Sequence, residues 1–179
     1  MNTIFSELDD RLSTVKRWQI LRTIRIQSVA EHCFNVQRIA VRIAQQWFNI
    51  EDNNRLFYIS QYALHHDDEE AITGDIPSPA KKYVVVANIE KGIDWGLSPW
   101  YTGAIGDVKN IVKLADLMEA YRFLQMELSA GNYYVKAHAE HMKDAIVAFV
   151  LRQNWKDDIM KYASEWMTEI TNERSKVYD

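Results

Sequence analysis

Apolar residues recur at intervals of three and four along almost the whole chain, and the helix-breaking residues are gathered into one stretch. Of six glycines and three prolines, all but Gly131 lie between residues 74 and 106. No run alternates apolar and polar residues between hairpin turns. Such a chain has only helices from which to build a core, so the expectation is an all-α bundle of about seven to eight helices. With 179 residues and no linker or repeat, a single compact domain spanning 1–179 is expected.

The first helix is expected from about Ile4 to Lys16, burying Phe5, Leu8, Leu12 and Val15, with an extended connector through Gln27 behind it. Ser28-Val29-Ala30-Glu31 reads as a capping box, the Ser hydroxyl taking the amide three residues on and Glu31 reaching back. It opens a long helix to Trp47 or Phe48 with Val36, Ile39, Ala40, Ile43 and Trp47 inward. Asp52 or Asn53 starts the next helix, which runs to His66-Asp67. A turn of helix to Thr73 and a rigid loop follow, then a helix opening at Pro79 and an irregular section from Gly92 to Gly106. Asp107 heads a long helix from Val108 to about Ala130, and two amphipathic helices, Tyr133 to Arg152 and Trp155 to about Arg174, complete the chain.

Composition removes several classes of function. No apolar run nears the roughly 20 residues that span a bilayer, and no signal peptide is visible. A net charge of −4 argues against a broad nucleic-acid surface. The single Cys33 allows no internal disulfide and suits the cytoplasm; it reads as a small core residue.

The chemistry gathers at Leu64-His65-His66-Asp67-Asp68-Glu69-Glu70-Ala71, which holds two of the five histidines against four acids. Imidazole and carboxylate together suit a divalent ion such as Zn²⁺, Co²⁺ or Mn²⁺. In an antiparallel helix pair, the start of the first helix lies beside the end of the second, so His32 and His66-Asp67 share one end. Asp116 interrupts the buried stripe of the long helix, and a carboxylate there needs a partner or a metal, which makes it the fourth ligand. Lys81 and Lys82, placed where cations oppose a helix dipole, hint at phosphate. His138 and His141 share a helix face and read as solvated.

The spacing of His32, His66-Asp67 and Asp116 resembles the signature of HD-domain metal-dependent phosphohydrolases. The fuller set of Arg17-Trp18, Ser28-Val29-Ala30-Glu31-His32, His66-Asp67-x-x-Glu70, Thr73-Gly74-Asp75-Ile76-Pro77-x-Pro79-x-Lys81 and Lys113-Leu114-Ala115-Asp116 is similar to small 5'-deoxynucleotidases and phage-type dATP triphosphohydrolases. The likeness covers roughly residues 10–130. It implies an HD-domain bundle, a metal held by His32, His66, Asp67 and Asp116, and Glu70 with Asp67 as catalytic residues. It further implies a substrate site with Arg17 and Lys81 on phosphate, Trp18 near sugar and base, Asp75 on a sugar hydroxyl, and Pro79 beside them. His65, Asp68 and Glu69 depart from the pattern and leave room for a second ion such as Mg²⁺.

The substrate expected is a small deoxynucleotide, with no nucleic acid or membrane partner. Lys81, Lys82, Arg22 and Arg25 carry more charge than one phosphate requires, and Trp18 with Ile20 forms an apolar slot suited to adenine. That favours dATP triphosphohydrolysis over release of phosphate from deoxynucleoside monophosphates. A non-catalytic nucleotide sensor is the reading from another class, and the complete ligand set with Glu70 speaks against it. A homo-oligomer, dimer or hexamer, is expected, in the cytoplasm (of the host, for a phage protein).

Overall fold

The computed structural model describes residues 7–77, 80 and 106–176, and the described residues form seven α-helices and no strand. These are α1 (Glu7–Thr14), α2 (Val29–Gln46), α3 (Asn53–Leu64), α4 (Glu70–Thr73), α5 (Gly106–Ser129), α6 (Lys136–Arg152) and α7 (Asp157–Lys176). A 3₁₀ turn over Tyr133–Val135 leads into α6. No helix among the described residues is long and apolar enough to cross a membrane. Phe5, Ser78, Pro79, Lys81, Lys82 and the section from 92 to 105 lie outside the described residues, so the expectations for them stand as stated.

Helix α5 is the axis of the fold. It touches α2, α3, α6 and α7, and its buried residues run from Val108 to Leu128 around most of its circumference. A helix apolar on nearly all sides belongs in the middle of a bundle. Ile111, Leu114, Ala115 and Met118 on α5 meet Val36, Ala40 and Ile43 of α2 and Ile59 and Ala63 of α3 in one core. Ile146, Phe149 and Val150 of α6 and Ile159, Ala163 and Met167 of α7 continue that core on the other side.

Two caps form as the sequence indicates. The Ser28 hydroxyl accepts the Glu31 amide at 3.1 Å, and Asp52 accepts the Asn54 amide at 2.9 Å. The Glu31 carboxylate, expected to complete the capping box, instead accepts from Arg25 at 3.1 Å. A guanidinium offers a charge-assisted bond that a backbone amide does not. Helix α1 stops at Thr14, short of the expected Lys16, because the chain there joins an antiparallel bridge between Lys16 and Ser28.

That bridge closes residues 16–28 into a loop. Arg17 donates its amide to Gln27 at 2.9 Å and Val29 donates to Val15 at 3.0 Å. The loop is tied to α5 by Glu127, whose carboxylate is fully buried and accepts the amides of Ile24 and Arg25 at 2.6 and 2.9 Å. Asn132 also donates to it at 2.7 Å. Burial pushes the Glu127 carboxyl up, but these donors outweigh burial and hold it below the usual range.

The Leu114 side chain sits at the centre of this arrangement with no exposed surface. Leu114→Ala should lower stability by about 2–5 kcal/mol, the range for emptying a buried leucine site. Urea unfolding checks this as a lower midpoint at unchanged slope; a loss below about 1 kcal/mol would mean α5 is not the packing axis.

Candidate metal centre

Two helices and one turn converge on a single point. His32 stands in the first turn of α2 and has no exposed surface. His66 and Asp67 lie in the turn between α3 and α4, and Asp116 lies midway along α5. The His32 Nε2 atom is 3.5 Å from an Asp67 oxygen and 3.3 Å from an Asp116 oxygen, while His66 Nε2 is 3.3 Å from Asp67. One ligand atom each of His32, His66 and Asp116 lies within 4.8 Å of the others. The structure therefore brings together all four ligands expected from the sequence.

The protonation pattern suits a cation. His66 places Nδ1 2.8 Å from the Ala63 carbonyl and His32 places Nδ1 2.7 Å from Glu119, so each ring donates its Nδ1 proton outward. Both Nε2 atoms are buried and make no hydrogen bond. Two ring nitrogens and two carboxylates facing one another in a buried space are the donor set of a divalent ion. Burial holds the His66 pKa below its usual value and so keeps that ring neutral. For His32, burial and Arg17 push down, but Asp116 and Glu119 outweigh them and leave its pKa raised. Burial also raises Asp116, yet His32 and Lys113 prevail and hold it well below the usual carboxylate range.

A cavity of about 520 Å³ opens over these ligands. Arg17, Trp18, Ile20, Glu70, Asp75, Lys109 and Lys113 line it, along with His66, Asp67 and Asp116. Glu70 is buried at the start of α4, one turn past the His-Asp pair. Arg17 contacts Glu119 at 3.4 Å, and its guanidinium also lies over the Trp18 ring. Trp18 stacks on Phe123 with ring centroids 5.4 Å apart. Its backbone has φ of 63°, a strained value for a bulky residue that here turns the indole onto the cavity wall. Ile20, at the rim, is 68% exposed.

Other groups fall differently from the sequence reading. His65 pairs with Asp68 at 2.9 Å, apart from the four ligands. Cys33 lies near His66 and Asp67, but burial pushes its thiol far up, so it stays a protonated core residue as expected. His138 and His141 are exposed, as expected, and also line the cavity. Sequence reasoning missed Glu119, Gln27 and the placement of Lys113, whose ammonium lies 2.6 Å from Asp116. Glu119 was findable in part, since it follows Asp116 by three residues and so shares its helix face.

Helices meeting over a His-His-Asp-Asp cluster define an HD-type phosphohydrolase, and comparison with known proteins agrees. The family model described as 5'-deoxynucleotidase YfbR-like matches residues 4–93. A dATP triphosphohydrolase of Salmonella phage PMBT28 is 31% identical over 168 residues, covering 82% of this chain and 84% of that protein. The 5'-deoxynucleotidase PM0747 of Pasteurella multocida is 28% identical, covering 87% of each. Among solved structures, the cyanophage S-2L HD phosphohydrolase DatZ, bound to dA and one catalytic Zn²⁺ ion, superposes with a TM-score of 0.77. That structure is 20% identical and covers 97% of this chain and 99% of its own. The chain belongs to the YfbR-like 5'-deoxynucleotidase family of HD hydrolases.

A raised His32 pKa means that the metal-free protein holds a proton on this imidazole above the ordinary histidine value of about 6.5. An ion must displace that proton, whereas the depressed pKa of His66 adds no such competition at neutral pH. Zn²⁺ affinity should therefore fall by roughly tenfold per pH unit below the raised value. Chelator competition between about pH 6 and about pH 8 checks this; a flat profile would place the ion away from His32.

Proposed function

We propose that this protein hydrolyses 2'-deoxynucleoside 5'-triphosphates, dATP foremost, at the α-phosphorus. In this reaction a water oxygen bonds to the α-phosphorus, the bond from phosphorus to O5' breaks, and deoxyadenosine leaves with tripolyphosphate as the other product. The observation that carries the reading is the arrangement of charge along α5. Asp116 lies at the cavity floor, and Lys113 and Lys109, three and seven residues before it, line the same cavity. Lys113 is paired with Asp116, so Lys109 and Arg17, both lining the same cavity, are the cations that extend beyond a single phosphate.

In this reading His32, His66, Asp67 and Asp116 hold the ion. When bound, a divalent ion polarises a phosphoryl oxygen and lowers the pKa of water. Glu70 takes the proton of the attacking water and returns one to O5'. Arg17 binds a phosphoryl oxygen, its charge secured by Asp116 and Glu119 against the cost of burial. Trp18 and Ile20 form the base slot, Asp75 takes a sugar hydroxyl, and Pro79 and Lys81 complete the substrate site. The similarity to phage dATP triphosphohydrolases supports this choice. The family model and the similarity to 5'-deoxynucleotidases support the second reading, release of phosphate from deoxynucleoside monophosphates. A cytoplasmic homo-oligomer belongs to the same proposal, supported by the exposed apolar side chains of Ile24, Ile26 and Phe34.

Product analysis decides between the readings. Intact tripolyphosphate with deoxyadenosine from dATP is expected; orthophosphate from dAMP, with dATP untouched, would replace this reading with the second. Asp67→Ala should lose both bound metal and turnover, and a mutant that keeps one equivalent of metal by elemental analysis would remove Asp67 from the ligand set. Glu70→Ala should keep its metal while turnover drops by about 10²-fold or more, the scale of a lost acid–base group. Activity within a few-fold of wild type would make Glu70 a bystander.

A further inference from the structure

An unbroken line of hydrogen bonds joins the cavity wall to the metal ligands. The Trp18 indole N–H donates to the Gln27 side-chain Oε1 at 3.0 Å, and Gln27 Nε2 donates to Glu119 Oε1 at 2.7 Å. The other Glu119 oxygen accepts from His32 Nδ1 at 2.7 Å. Gln27 and Glu119 are 1% and 0% exposed. The orientation of every group is forced: an indole only donates and an ionised carboxylate only accepts, so the amide between them has one orientation.

We propose that Gln27 is a positioning residue through which the base slot acts on the metal centre. Gln27 fixes the rotamer of Glu119, Glu119 fixes the tautomer and tilt of the His32 ring, and the Trp18 N–H holds Gln27 in place. A change at Trp18 Nε1 is thereby felt at His32 Nε2, on the far side of three buried groups. The hydrogen bonds stand on geometry alone; that their outer end is a base slot rests on the nucleotide reading above. In that reading a base seated against Trp18 alters how firmly the ion is held, so base identity registers in kcat as well as in KM.

The test is Zn²⁺ affinity without substrate, by chelator competition, for the wild type, Gln27→Leu, Trp18→Phe and the double variant. Phe keeps an aromatic ring against Phe123 and removes the N–H together with part of the indole's area, so the double variant is what separates the lost hydrogen bond from lost packing. Gln27→Leu should weaken Zn²⁺ by roughly 10–100-fold, the range for losing an outer partner of a metal-ligating histidine. Trp18→Phe should weaken it by several-fold, and in the Gln27→Leu background it should add nothing, because the relay is already cut. Absorption of the Co²⁺-substituted protein should shift in both single variants as the His32 ring re-aims. Affinities equal to wild type, or losses that simply add, would overturn the proposal. If Gln27→Leu does not fold, judged by circular dichroism, Gln27→Met takes its place in the cycle. None of these measurements involves turnover, so the product analysis can fail while the relay stands, and the reverse.

Discussion

Everything at this site depends on a single imidazole held from both sides. His32 has no exposed surface, its Nδ1 is committed to Glu119, and its Nε2 faces Asp67 and Asp116. A ring so placed costs desolvation that only charged partners offset. Those partners come from the α3–α4 turn and from α5, so three regions of the chain must assemble before the ring is satisfied. The site is thus a consequence of the helix packing as well as its purpose. With α2, α3 and α5 in contact around one core, the ends of α2 and α3 and the middle of α5 have no other place to meet.

The convergence of His32, His66, Asp67 and Asp116 was legible in the sequence for a physical reason. Two histidines at helix ends and an acid inside an apolar stripe are each out of place unless something binds them, and helix pairing puts them at one level. The same reasoning reaches Glu119 only in part, through its place three residues after Asp116, and Gln27 not at all. Helix α5 is buried around most of its surface, so periodicity does not say which of its polar residues turns inward. Gln27 sits at the end of an irregular connector, where no period exists to read. Its role follows only from the Lys16–Ser28 bridge, a contact that leaves no pattern in the sequence.

The half-formed capping box carries a related lesson. The Ser28 half is local, bonding across three residues, and it forms. The Glu31 half was open to competition, and Arg25 on the neighbouring loop wins it. His138 and His141 are exposed as expected and still line the cavity. Their exposure was foreseen from the charged residues beside them, but their place on the cavity wall depends on the fold of α6 against α5. Exposure and relevance to the cavity are separate properties, and sequence periodicity reports only the first.

The loop from Trp18 to Gln27 is clasped at its neck by the Lys16–Ser28 bridge and at its waist by the Glu127 carboxylate. Both clasps bind backbone amides, which every residue but proline supplies. The outward side chains Ile20, Ile24 and Ile26 are therefore free to vary without disturbing either one. Such a segment behaves as an exchangeable cassette. Selection, or an engineer, can rewrite its exposed face, and through Ile20 the cavity wall, while the cluster of His32, His66, Asp67 and Asp116 stays in register.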